Sequence, residues 1–149
     1  MNYFEEINRH RYLYLRSISE PEDNTLRLEI AEAVLNGPAE DRELSGAIFT
    51  AVQPIETVPG CSFYTIVFRA YIAYAVTNES YAQNSPEDRY EGTLARVYTE
   101  SAYLALLRKS TFATNEYPGP FKHYGFCCLN HIVDVASCEP PKVIREIAS

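Results

Sequence analysis

The chain has 149 residues, 46% apolar and 22% charged, proportions that exclude a disordered chain and allow a core without disulfide or metal staples. A formal net charge of −7, with 13 basic residues scattered along the chain, excludes a nucleic-acid binder that works through the phosphate backbone. No apolar run approaches the eighteen or so residues of a membrane span. The acidic start, with Glu5 and Glu6, is unlike a secretory signal. These features lead us to expect one soluble cytoplasmic domain over residues 1–149, with residues 139–149 as a loosely docked tail. In that compartment Cys61, Cys127, Cys128 and Cys138 are expected as thiols. Their spacing includes no CxxC, so neither a metal nor another cofactor is expected.

Twelve Tyr and seven Phe with no Trp favour half-buried sheet positions. Residues 11–18 are rich in strand formers and run into the turn composition of Glu20-Pro21-Glu22-Asp23-Asn24, which predicts a hairpin. Its second arm, 25–34, alternates Leu26, Leu28 and Ile30 with Arg27 and Glu29. That is a strand pattern, although Leu26, Ile30, Ala33 and Val34 also fit a helix. Residues 37–60 read as an irregular connection, with a short apolar piece over 47–52 that suits an edge strand, since Pro54 and Pro59 would interrupt a central one. The strongest period-two segment is 62–77, where Tyr64, Ile66, Phe68, Ala70, Ile72, Tyr74 and Val76 share a face. A short strand at 93–98 follows a polar loop. Ser101, an N-cap candidate, then opens a helix over 101–112. Residues 121–136 read as a final long strand, apolar on both faces and therefore central. The expected fold is α+β: a predominantly antiparallel sheet of about five strands with one helix before the last strand.

The residues suited to acid–base chemistry are His123, Asn130, His131 and Asp134 on the last strand and Glu79 beyond the end of the long one. On a continuous strand His123 and His131 stand roughly 26 Å apart, too far to share a metal. His131 and Asp134, three residues apart, would face opposite sides unless a bulge intervened. Asp134 lies between Ile132-Val133 and Val135-Ala136, so its carboxylate needs a partner, with Arg69 or Arg96 as candidates. No GxSxG, Walker, GxGxxG, HExxH or EF-hand spacing occurs.

Two functional classes follow. The first is a protein-binding or accessory module, in one form an immunity-like acidic inhibitor of a basic protein partner. The alternative is a small enzyme or small-molecule-binding protein whose Tyr-lined pocket uses His131, Asp134 or Glu79. Convergence of such side chains in a concave site distinguishes the second from the first. One helix covers one sheet face, whereas both long strands are apolar on two. Phe63, Val67, Tyr71, Leu129, Val133 and Val135 are therefore expected to form a patch hidden by a homodimer, or else by residues 1–10 or 37–60 folding over it.

Overall fold

The computed structural model describes residues 2–149. Strands β1 (Tyr12–Glu22) and β2 (Thr25–Leu35) form the expected hairpin. Asn24 turns it with φ 61°, a conformation that asparagine tolerates better than most residues. Strand wins over helix in 25–35 because Leu26, Leu28 and Ile30 are then buried together against the facing layer, which no isolated helix would achieve.

The stretch 62–77 is two strands. β6 (Ser62–Arg69) and β7 (Ala73–Asn78) are separated at Ala70, whose φ of 52° breaks the extended backbone. The stretch 121–136 is likewise a hairpin. β10 (Lys122–Cys127) pairs antiparallel with β11 (His131–Ser137). The remaining strands are β3 (Glu40–Leu44), β4 (Ala47–Val52), β5 (Ile55–Glu56), β8 (Arg89–Gly92), β9 (Ala95–Glu100) and β12 (Lys142–Ile147). The helices are α1 (Tyr3–Asn8) and α2 (Ala102–Ser110).

Two sheets result. One runs β1-β2-β6-β12, with β5 on the end of β2, and the other runs β7-β11-β10-β9-β8; β3 and β4 form a separate hairpin. The chain passes from the first sheet to the second at Ala70, so the residues of 62–77 that read as one face belong to two sheets, β6 lying inside the first and β7 at the edge of the second, while β10 and β11 are both interior strands. Leu26, Leu28, Ile30, Tyr64, Ile66 and Phe68 of the first sheet are buried with Tyr124, Phe126, Val133 and Val135 of the second in one cluster. The Phe68 ring lies 5.4 Å from Tyr124 and 6.3 Å from Phe126. Burying one such side chain contributes about 2–3 kcal/mol.

Polar side chains close the joints between the layers. In the 128–130 turn Asn130 accepts from the Leu15 N–H (3.0 Å) and donates to the Leu15 carbonyl (2.9 Å), replacing a missing strand partner. Asn8, at the end of α1, accepts from the backbone N–H groups of Leu94 (2.9 Å) and Ala95 (2.8 Å) and donates to the Ala95 carbonyl (2.9 Å). Gly92 lies under this contact at φ 95°, where a Cβ would stand 2.0 Å from the Ala95 carbonyl oxygen. The tail pairs as β12 along β6. Helix α1 buries Ile7 completely in the core cluster, whereas the β3–β4 hairpin stands almost wholly exposed. Among the described residues no helix is long and apolar enough to cross a membrane.

Candidate functional site

The outer face of the second sheet carries the chemistry. Antiparallel register makes His123 the cross-strand neighbour of Tyr98 on one side and Ala136 on the other. In the next row Arg96, Gly125 and Asp134 stand side by side, and beyond them Cys127 faces Ile132. Asp134 is thus diagonal to His123, within reach of a long side chain. His123 Nε2 and Asp134 Oδ1 are 2.6 Å apart.

Helix α2 covers part of this face and caps the chain of contacts. Ser101, its N-cap, accepts from the Leu104 N–H (3.0 Å) and lies 2.8 Å from His123 Nδ1. A carboxylate oxygen can only accept, so the proton between Asp134 and His123 rides on Nε2. In the neutral imidazole Nδ1 then accepts the Ser101 hydroxyl proton. The result is a Ser101–His123–Asp134 relay. Tyr98 stacks on the His123 ring at 3.9 Å and 7°, and Tyr103 meets it edge-on at 5.1 Å. Two aromatic rings thus pack against the imidazole, and its side chain is 3% exposed.

Above this face lies a cleft of about 350 Å³, walled by the 82–88 loop and by Arg96, Tyr98, Ser101, Tyr103, His123, Cys127 and Asp134. Gly125 lies beneath Tyr98 at its base, where a Cβ would stand 2.9 Å from Tyr98 Cε1. A glycine inside a strand marks such a close approach. Burial, reinforced by Asp134, pushes the Tyr103 phenol up to about 12. Burial also raises Tyr98, against the opposing hydrogen bond from Arg96. Both hydroxyls stay protonated at neutral pH. Burial raises the Cys127 thiol too, and nearby Arg96 does not cancel it, so Cys127 is not a ready thiolate.

The relay does not have the surroundings of an acyl-transfer serine. Ser101 is 5% exposed, and two amides at the start of α2 are taken: Ala102 N–H donates to Asp88 (3.1 Å) and Leu104 N–H to Ser101 itself. The group that faces the cleft is Asp134. Its side chain is 19% exposed, and among the described residues its second oxygen, Oδ2, has no hydrogen-bond partner.

Of the residues singled out in the sequence, Asp134 reaches this site, with His123 as its partner in place of Arg69 or Arg96. His131 pairs with Asn78 at the opposite end of the β10–β11 hairpin, and its Nδ1 is buried without a partner. Glu79 is exposed at the start of a 3₁₀ turn over 79–81, outside the cleft. The expected apolar patch is dispersed. Phe63 and Val67 lie on the outer face of the first sheet, Tyr71 donates to Glu20 (2.6 Å), Leu129 is in the 128–130 turn, and Val133 and Val135 are in the core. Among the described residues no three His, Cys, Asp or Glu side chains converge as metal ligands.

Sequence reasoning missed the parts that Ser101, Arg96, Tyr98 and Tyr103 play in the site. One signal was available, Gly125 between His123 and Cys127 in an otherwise bulky strand. Comparison of the chain with family models, with curated proteins and with solved structures gives no match. The functional reading therefore rests on the geometry of the cleft.

Proposed function

We propose that the cleft binds a small polar molecule and that Asp134 is its proton acceptor, held by His123 and Ser101. The observation that carries this reading is the division of labour at Asp134: Oδ1 is fixed by a histidine packed against two aromatic rings, while Oδ2 lacks a protein partner at a cleft wall. Such a carboxylate is oriented for a ligand O–H or N–H, and accepting that proton is general-base chemistry. Tyr103 and Tyr98 supply neutral donors. The volume is at the lower end of small-molecule sites. The free thiols of Cys61, Cys127, Cys128 and Cys138 suit a cytoplasmic setting.

The test is a ligand-observed NMR screen of small polar metabolites against the wild type and Asp134→Asn, which keeps an Oδ1 acceptor for His123 but removes the charge. Compounds that bind the wild type should perturb the amides of Gly125 and Asp134 and lose about tenfold or more in affinity to the variant. Hits that map elsewhere, or that bind the variant equally well, would refute the reading.

A second reading, a protein-contact role including self-association, draws on the β3–β4 hairpin. There Leu44, Ile48 and Phe49 are 60%, 72% and 49% exposed, and a two-stranded hairpin is marginal on its own in water. Light scattering across an eluting size-exclusion peak tests it. A mass above 16.9 kDa that falls with Ile48→Glu would support self-association through this arm, and a monomeric mass at all concentrations would remove it.

A further inference from the structure

We infer that the ligand of this cleft is a small monocarboxylate bearing a second polar group, its carboxylate held by Arg96 and its second group presented to Asp134. This rests on the cleft being a ligand site. Arg96 is fixed by its neighbours: Nε donates to the Thr93 carbonyl (2.8 Å), and Nη1 lies 3.3 Å from the Tyr98 hydroxyl and 3.4 Å from Asn84 Oδ1. The guanidinium carbon sits 4.2 Å from the centre of the Tyr90 ring. Among the described residues no carboxylate lies within 4.0 Å of it, and Nη2 makes no protein hydrogen bond. In a chain of net charge −7 this is a cation left without a counter-charge yet held still, which is how a guanidinium is prepared for a planar oxyanion.

Arg96 and Asp134 flank Gly125 on opposite sides. Their Cα atoms are therefore two strand spacings apart, about 10 Å, the Tyr98 ring lies over the glycine between them, and both side chains line the cleft. A ligand that spans the cleft over Tyr98 meets a cation at one end and a proton acceptor at the other. The charge balance selects a monoanion. The cleft offers one guanidinium, while Asp134 and Asp88 would repel a second negative charge. Asp88 itself is committed to the backbone N–H groups of Ser85 (3.2 Å) and Ala102 (3.1 Å). A carboxylate with a hydroxyl or ammonium group nearby fits both ends; a phosphate dianion does not.

The experiment is an NMR titration of the full chain with matched pairs, glycolate against glycolamide, lactate against lactamide and glycine against glycinamide, with acetate and inorganic phosphate as further arms. The readouts are the Arg96 Nε–H and Gly125 amide signals. The expected result is that the carboxylates bind, the amides bind about tenfold or more weakly, Arg96→Gln abolishes the preference, and Arg96→Lys restores part of it. Dispersed spectra of both variants confirm that they fold. Amides that bind as well as carboxylates, or a preference that survives Arg96→Gln, would overturn this inference and leave the cleft reading intact. Phosphate binding more tightly than every carboxylate would overturn the carboxylate assignment alone. If no probe perturbs the cleft, both fall.

Discussion

The protein contains two chains of acid, histidine and hydroxyl, one at the end of the first sheet and one over the second. In the first, His10 Nδ1 is 3.1 Å from Glu32 Oε2 and its Nε2 is 2.6 Å from the Tyr64 hydroxyl. Glu32 Oε1 also accepts from the Ser62 N–H (2.8 Å), so each carboxylate oxygen is used. Tyr64 is fully buried, and burial raises its phenol against the opposing Ser62 and Arg145. The chain closes on itself and ties His10, two residues past the end of α1, to β2 and β6. In the second, Asp134 keeps one oxygen for the cleft. The same three group types thus serve cohesion where both carboxylate oxygens are engaged, and present an acceptor to a cleft where one is spared.

The comparison predicts unequal consequences for stability. Glu32→Ala should be the most damaging, about 3 kcal/mol in urea unfolding, because it strands the buried Ser62 N–H and leaves His10 Nδ1 without its carboxylate partner. Gly125→Ala should cost about 1–2 kcal/mol by forcing the Tyr98 ring off its stack with His123, and it should abolish ligand binding in the NMR titration. Ser101→Ala removes the α2 cap and should cost about 1 kcal/mol. Asp134→Asn should change stability by less than about 1 kcal/mol while losing ligand affinity. A larger stability loss for Asp134→Asn than for Glu32→Ala would invert the comparison and make the second chain the structural one.

The smallest effect lies at alkaline pH. The Tyr103 and Tyr3 phenols have folded values pushed up to about 12, burial being the main cause for each. The folded state therefore holds these protons more tightly than the unfolded chain. The stability this contributes is complete below the ordinary tyrosine value of about 10 and is lost as pH rises from there toward 12. Urea midpoints measured over that window should fall, and Tyr103→Phe should flatten the slope. An unchanged slope in that variant would place its phenol in water.

Much of the fold was legible in the sequence. The β1–β2 hairpin followed from Pro21, Asp23 and Asn24 between alternating strands, and α2 from Ser101 ahead of good helix formers with Arg108 and Lys109 at its end. The two breaks were not legible. Ala70 adopts a left-handed conformation without the glycine or asparagine that usually announces one. The 128–130 turn holds only Asn130 as a turn former, and its partner, the Leu15 backbone, is 115 residues away. Reading 121–136 as continuous placed Asp134 far from His123, whereas the hairpin sets them on a diagonal.

By itself the sequence determined the class of the fold, the alternation that buries Leu26, Leu28, Tyr64, Ile66 and Phe68, and the start of α2, because periodicity and capping are local properties. Tertiary structure alone decided that two of the apolar runs change direction or sheet, that Asp134 finds His123, and that Arg96 stays without a counter-charge. Those outcomes depend on which strands become neighbours, and strand pairing is fixed by packing two sheets into one core, a sum over distant residues that no local window contains.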